Sequence, residues 1–156
     1  MTGWRIGYAA GPKPILAAME NVQSQSTSNP TSFSQIAAEA ALNTDQSCRA
    51  PINKAFSERH SFVVNALNRI PGMNCMKAGG TFFAFPDARG AISTLSARGR
   101  IKVVSDIQLS EYLLEKAGVL VFPGSVFGSE GYIRLSCASS MENLEQAISR
   151  ISKALT

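Results

Sequence analysis

The stretch that decides the fold is a strand, a turn and a second strand near the end of the chain, which read Val119-Leu120-Val121-Phe122, Pro123-Gly124-Ser125-Val126-Phe127-Gly128 and Tyr132-Ile133-Arg134-Leu135-Ser136-Cys137. Runs of β-branched and aromatic residues are typical of strands, and the proline and glycines between them predict a turn. Arg134 is the one charged residue of the second strand. It is either half of an internal ion pair or a ligand for a bound anion, and the stretch alone favours neither.

Helix signals stand on both sides of these strands. Ser105-Asp106-Ile107-Gln108 is a capping box that predicts a helix through Ala117, with Gly118 as its C-terminal cap. A second capping box, Ser139 to Glu142, predicts the last helix. The apolar residues of that helix recur on one face, as expected for a helix that packs on a core: Leu144, Ile148, Ile151 and Leu155.

The middle of the chain predicts one long helix followed by short strands. Apolar residues recur at helical spacing from Ile52 to Ile70, and Pro71-Gly72 ends the helix. The strands are predicted at 74–77 and 81–85. Residues 88–104 are predicted to form a solvated loop, which includes Arg100 and Lys102. Strands grouped together, with helices beside them and no regular strand-helix alternation, predict an α+β fold from about residue 51 onward.

The first fifty residues look like the end of a separate domain. Trp4 to Ala10 reads as a buried strand, and Pro14 suits the first turn of a helix that runs to about Gln25. Asn29 followed by Pro30 predicts the start of a second, alanine-rich helix that ends near residue 43.

Arg5 is the residue of this first strand that most needs an explanation. A guanidinium costs several kcal/mol to bury unless an anion pairs with it, so an anion is expected nearby. Glycines at positions 3 and 7 leave room for other groups to approach the backbone. Composition alone favours an internal salt bridge over a bound ligand.

The segment Met1-Thr2-Gly3-Trp4-Arg5-Ile6-Gly7-Tyr8 closely resembles the one that follows the cofactor lysine in class I aminotransferases, the fold-type I enzymes that use pyridoxal 5′-phosphate. The resemblance implies that Arg5 holds the cofactor phosphate, which reverses the preference for a salt bridge. In that family the lysine lies four residues before the motif's methionine. It is therefore expected upstream of this chain, which would hold no catalytic residue and would be inactive alone.

Three further motifs carry the same resemblance. The Pro123–Gly128 turn and the Gly131–Ser136 strand resemble the family's C-terminal signature, which implies that Arg134 binds the substrate α-carboxylate through its planar fork of N–H donors. Gly80-Thr81-Phe82-Phe83 resembles a strand whose first aromatic borders the substrate, although Phe82 as plain core is an equal alternative. Residues 26–35 resemble a stretch of bacterial and plant-type aspartate aminotransferases that lies near the dimer's active sites.

The resemblance implies a division of the chain and a reaction. Residues 1–50 would be the C-terminal end of the large pyridoxal-phosphate-binding domain, and residues 51–156 the small domain, with a long linking helix at its start. The complete homodimeric enzyme would transfer an amino group between an amino acid, expected to be aspartate, and a 2-oxo acid. The alternatives are a non-catalytic fragment that acts only as a folding or association module, and an unrelated basic interaction module supported only by net charge.

Composition argues against several other classes of protein. The 156 residues carry a net charge of +4, but Lys and Arg are scattered singly, so no nucleic-acid partner is expected. Cys48, Cys75 and Cys137 are far apart, which predicts reduced thiols in a cytoplasmic protein without a metal site. His60 is expected on the polar side of the long helix, in a solvated or structural role. No stretch suggests a secretory signal or a membrane partner.

Overall fold

The computed structural model describes residues 1–99 and 103–156, and the chain divides into two compact units, Met1–Arg49 and Ala50–Thr156. The second unit combines helices with a three-stranded antiparallel sheet, so the predicted α+β class is confirmed. Among the described residues, none of the helices combines the length and the hydrophobicity that a membrane-spanning helix requires.

The first unit consists of a short 3-10 helix, Thr2–Trp4, and two α-helices, α1 (Lys13–Ser26) and α2 (Ser32–Asn43). Pro14 lies in the first turn of α1, where its missing N–H costs nothing. The predicted start of α2 at Asn29 and Pro30 is wrong by about two residues, because Thr31 is the N-cap. The Pro30 carbonyl instead accepts a hydrogen bond from the Gln35 side chain, at 2.9 Å.

The strand predicted from Trp4 to Ala10 is not formed. Arg5 follows the 3-10 helix in the left-handed region, at φ 52°, and residues 6–12 have no regular structure. Trp4 is 53% exposed and Tyr8 80% exposed, so the segment is not buried either. A strand is stabilised by hydrogen bonds to a neighbouring strand, and the described residues of the first unit contain none to pair with.

The second unit is built around one central strand. Its sheet has the order β1 (Phe83–Ala84), β3 (Ile133–Ser136), β2 (Phe122–Pro123), so the central strand pairs with two-residue strands on both sides. The elements in chain order are α3 (Arg49–Leu67), β1 (Phe83–Ala84), α4 (Arg89–Ala97), α5 (Asp106–Ala117), β2 (Phe122–Pro123), β3 (Ile133–Ser136) and α6 (Met141–Leu155).

The core of this unit lies between the sheet and its helices. Ile133 and Leu135 of β3 are buried, whereas Arg134 and Ser136 alternate with them on the opposite face. Helices α5 and α6 add apolar side chains at helical spacing, as predicted from their sequence pattern. The largest side chains that are fully buried include Leu67, Leu109, Leu113, Ile133 and Ile151.

The predicted capping boxes are correct for α5 and wrong by one residue for α6. The Ser105 hydroxyl accepts a hydrogen bond from the Gln108 N–H at 3.3 Å, and Gly118 ends α5 at φ 62°. The cap of α6 is Ser140 and not Ser139, because the Ser140 hydroxyl accepts from the Asn143 N–H at 3.2 Å.

The loop predicted over 88–104 contains helix α4, so that prediction is wrong for its first half. Ala91, Ile92 and Leu95 form a buried face of this helix. Gly90 lies against the Gly72 backbone so closely that a Cβ atom on Gly90 would be 2.7 Å from the Gly72 Cα atom. Arg100 and Lys102 of the predicted loop lie outside the described residues. The strand predicted at 74–77 reduces to one bridge, Asn74 with Asp87.

The three thiols are free, as predicted, and two of them are buried. Burial, and to a smaller extent the neighbouring Cys75, raise the pKa of the Cys137 thiol from its ordinary value of 9.0 to about 11. The Cys137 thiol of the folded chain therefore keeps its proton at a pH at which the same thiol of the unfolded chain has lost it. This contribution to stability is fully present below pH 9 and is lost as the pH rises toward 11.

We therefore expect the free energy of unfolding to fall between pH 9 and pH 11, as measured by urea unfolding followed by circular dichroism. Cys137→Ala removes the titrating group and should make that fall smaller. An equal fall in the original chain and in Cys137→Ala would contradict the assignment.

The exposed Cys48 should react with a thiol reagent in the folded chain at neutral pH, whereas Cys75 and Cys137 should react only after unfolding.

Candidate functional site

Arg134 lies in the middle of β3, paired across the sheet with Phe122. Its side chain is half-buried, and three aromatic rings surround the guanidinium. The Cζ atom is 4.0 Å from the ring centroid of Phe127, 4.3 Å from that of Phe83 and 5.2 Å from that of Phe122. Ring faces attract a cation and stack on a planar guanidinium, so these rings hold the side chain in place while its charge is kept.

No acid neutralises this guanidinium within residues 1–99 and 103–156. No carboxylate there lies within 4 Å of Arg134, and its Nε atom is buried without a hydrogen-bond acceptor. Buried polar atoms normally have partners, so an exception such as this one needs an explanation. The internal ion pair that the sequence left open is therefore absent from this part of the chain. The arrangement suits a carboxylate or phosphate ligand.

Phe82 lies beside this cluster of rings and is half-buried. Its ring centroid is 4.4 Å from that of Phe83 and 6.1 Å from that of Phe56. Phe122 and Phe127 are 48% and 45% exposed. We call Phe82, Phe83, Phe122 and Phe127 the aromatic cluster. Its rings cover part of the guanidinium and leave apolar surface around it.

The turn between β2 and β3 positions Phe127. Gly124–Phe127 forms a 3-10 helix, and the Gly124 N–H donates to the Tyr132 carbonyl at 2.7 Å. A side chain at position 124 would collide with Tyr132, because an added Cβ atom would be 2.6 Å from the Tyr132 Cβ. The Phe127 ring meets Phe85 edge-to-face, at 6.3 Å between centroids.

Asp106, the first residue of α5, bonds to the backbone of this turn. One of its carboxylate oxygens accepts a hydrogen bond from the Ser125 N–H at 2.7 Å. Burial acts to raise the pKa of Asp106, but the Ser125 N–H, the nearby Ser125 hydroxyl and other backbone groups outweigh burial, so the pKa lies below its ordinary value. The sequence predicted Asp106 only as a residue of the capping box, and the pattern holds no signal for this contact.

Arg5 lies in the first unit and is exposed. Its guanidinium donates one long hydrogen bond, 3.4 Å, to the Thr2 carbonyl, and no carboxylate of the described residues is within 4 Å. The Ser34 hydroxyl, on α2, donates to the Trp4 carbonyl at 2.9 Å and anchors the segment just before Arg5. The salt bridge favoured by composition is thus not formed in the described chain, and the side chain is available to an anion.

Two sequence expectations concern His60 and metals. His60 is 5% exposed and not on the polar side of its helix, so that placement is wrong. Its Nε2 atom is buried without a partner in the described chain. The sequence pattern placed only apolar residues on the buried face of this helix, but His60 is buried there together with Val63 and Leu67. Among the described residues, no three side chains of the metal-binding types lie close enough to hold an ion.

Comparison with known proteins decides what this arrangement belongs to. The family profile described as aminotransferase class I and II matches residues 1–151. The chain belongs to this family. The chain is similar to the aspartate/prephenate aminotransferase of Nitrosomonas europaea, with 56% identity over 156 residues, and to the aspartate aminotransferase of Geobacillus stearothermophilus, with 45% identity over 151 residues.

Solved aminotransferase structures share the fold. An aspartate aminotransferase from Rhizobium meliloti matches 99% of the chain with a TM-score of 0.80 and 41% identity. An aromatic aminotransferase from Pyrococcus horikoshii also matches 99% of the chain, with a TM-score of 0.76 and 34% identity. The chain spans 39% and 37% of the Nitrosomonas and Geobacillus proteins, and 38% and 39% of these two structures.

Proposed function

We propose that the whole protein transfers an amino group between an amino acid, with aspartate as the first candidate, and a 2-oxo acid, and that it uses pyridoxal 5′-phosphate. The observation that carries the proposal is the Arg134 guanidinium, which aromatic rings hold in place and no described acid neutralises. The aspartate aminotransferases among the relatives support the choice of substrate.

Arg134 would bind the substrate α-carboxylate. Two parallel N–H donors of a guanidinium match the two oxygens of a carboxylate and fix its orientation. The ring faces of Phe83 and Phe127 would keep water from the guanidinium and strengthen its attraction for the anion. Phe82, one ring farther from the charge, would border the rest of the substrate.

Arg5 would hold the cofactor phosphate, since its free guanidinium fits a doubly charged anion. The bound pyridoxal phosphate would supply an electron-withdrawing ring for the chemistry at the substrate's α-carbon. The lysine that would carry the cofactor is not among the residues of this chain that match the family's motifs. Its place would be upstream of Met1.

We further propose that residues 1–50 end the large cofactor-binding domain and that residues 51–156 form the small domain, in a homodimer. The division into compact units at Arg49 and Ala50 supports this boundary. Exposed apolar side chains on α1 and α2 support association with further protein surface: Ile15, Met19, Val22, Phe33, Ile36 and Leu42. The segment from Trp4 to Ala10 would then pair as a strand in the complete domain.

The test uses a hybrid enzyme in which this chain replaces the matching C-terminal region of the Nitrosomonas europaea relative, to which it is 56% identical. We expect the hybrid to transfer the amino group of aspartate to 2-oxoglutarate and to require pyridoxal phosphate. Arg5→Ala should weaken cofactor binding roughly 10- to 150-fold, because a charge-assisted hydrogen bond contributes about 1.5–3 kcal/mol.

Spectrophotometric titration of the apo-hybrid with pyridoxal phosphate measures that affinity. Lys13→Ala, which removes an exposed cation of the same unit, is the matched control and should bind the cofactor normally. A folded hybrid without transferase activity would contradict the proposed function and support the non-catalytic alternative. Equal weakening of cofactor binding in Arg5→Ala and Lys13→Ala would contradict the role of Arg5 and would leave the proposed transferase function standing.

A further inference from the structure

Asp106 is a buried charge without a cation to balance it. It is 3% exposed, and no Lys, Arg or His of the described residues lies within 4 Å of its carboxylate. Burying an unpaired carboxylate is costly, so its partners must be other polar groups. The Ser125 N–H donates to it at 2.7 Å, the Ser125 hydroxyl lies nearby, and Asp106 begins α5, where the helix dipole favours a negative charge.

The Ser125 N–H belongs to the turn that presents Phe127. Within this turn, the Gly124 N–H is bonded to Tyr132 and the Gly128 N–H to the Ser125 carbonyl, at 3.0 Å. Among the described residues, Asp106 is the one outside the turn whose side chain bonds to the turn's backbone. It therefore joins the first residue of α5 to the turn between β2 and β3.

Phe127 in turn contacts the guanidinium more closely than the other rings do, with its centroid 4.0 Å from the Arg134 Cζ atom. The Arg134 Nε atom has no hydrogen-bond acceptor among the described residues, so ring contacts are what fix this side chain. A shift of the turn would move Phe127 and release one face of the guanidinium.

We propose that Asp106 is a positioning residue for Arg134: its carboxylate holds the Gly124–Phe127 turn so that the Phe127 ring covers the guanidinium. Asp106 does not touch the anion that Arg134 would bind. Its placement of Arg134 is a property of the second unit itself. Only its consequence for catalysis rests on the proposed function.

The first test is a nuclear magnetic resonance measurement on the 156-residue chain, which needs no activity. Ring faces shift nearby protons upfield, so the Arg134 Nε–H signal should lie upfield of those of exposed arginines, and Arg134→Lys assigns it by its loss. Asp106→Ala should move the Arg134 Nε–H signal toward the chemical shift of exposed arginines. Asp106→Asn keeps one acceptor oxygen and should move it part of the way.

Ser140→Ala is the control, because it removes the cap of α6 and destabilises the unit without touching the turn. The Arg134 signal should stay in place in this variant. If Asp106→Ala does not fold, the isosteric Asp106→Asn decides. An Arg134 signal that stays in place in the Asp106 variants, or that moves equally in Ser140→Ala, would overturn the proposal.

The second test is a double-mutant cycle in the hybrid enzyme. Asp106→Asn should lower kcat/KM about tenfold, mainly through KM, when Arg134 is present, and less than twofold when Arg134 is alanine. Equal losses in both backgrounds would show that Asp106 does not act through Arg134. If Arg134→Ala itself leaves kcat/KM unchanged, the proposed substrate role fails, while the resonance measurement still decides the positioning role.

Discussion

Replacing Arg134 by alanine in the hybrid enzyme is expected to lower kcat/KM roughly 30-fold to several thousand-fold, because a charge-assisted contact to the α-carboxylate contributes about 2–5 kcal/mol. Steady-state kinetics per folded molecule measures the effect. Arg134→Lys keeps the charge but loses the planar fork, so its kcat/KM should be intermediate. Normal kcat/KM in the alanine variant would end the substrate-binding assignment.

The stability of the same variant separates a binding role from a structural one. If Arg134 were half of a buried ion pair, its removal would strand a carboxylate and cost about 3–5 kcal/mol. No described carboxylate pairs with it, so the loss should be limited to the ring contacts, about 0.5–2 kcal/mol. Thermal unfolding of Arg134→Ala should therefore show a small change, in contrast to the large change in kinetics.

The largest expected effect on folding is that of Leu113→Ala. Leu113 is fully buried between α5 and the rest of the core, and truncating such a leucine costs about 2–5 kcal/mol through lost burial and the cavity that remains. Urea unfolding of the chain, followed by circular dichroism, measures the loss.

Leu114→Ala is the matched control, since Leu114 is the next residue of the same helix and is 50% exposed. The chemical change and the helix propensity change are identical in the two variants. The control should cost less than about 1 kcal/mol. Similar losses for the two variants would contradict the described orientation of α5.

The sequence predicted the elements whose signals are local. The capping box at Ser105 and the glycine at 118 define α5 almost to the residue, and the apolar spacing defines α6. The three strands of the sheet were located but are shorter than predicted, because a strand ends where its neighbour stops pairing, and that depends on distant parts of the chain. Among the described residues, Phe83–Ala84 and Phe122–Pro123 form the ladder pairs with β3.

The two larger errors arise where the local pattern of a segment does not decide its structure. Trp4 to Ala10 carries a strand-like pattern, but no described strand of its unit can pair with it. Helix α4 carries a weak pattern, with Gly90 and several Ser and Thr residues that favour turns, yet its backbone is held against Gly72. In the first segment the partner that the local preference requires is missing from the described residues, and in the second a contact beyond the segment overrides the local preference.

The site was predictable in part. Arg134 stands out because it is the one charge in an apolar strand, and Arg5 because of the motif around it. Which of the eight phenylalanines face Arg134 was not predictable, because that depends on the register of three strands and on one turn. Asp106 was hidden for another reason: its partner is a backbone N–H, which any residue at position 125 other than proline would offer.

The alternation along β3 has a consequence for folding fidelity. Ile133 and Leu135 fill the core because they point to one face, and Arg134 reaches the aromatic cluster because it points to the other. A slip of this strand by a single residue would exchange the two faces, burying a charge and exposing two core side chains. A chain with this slip would therefore lose both its core packing and its anion-binding arginine at once. A chain that folds with this core carries its arginine on the side where a ligand can reach it.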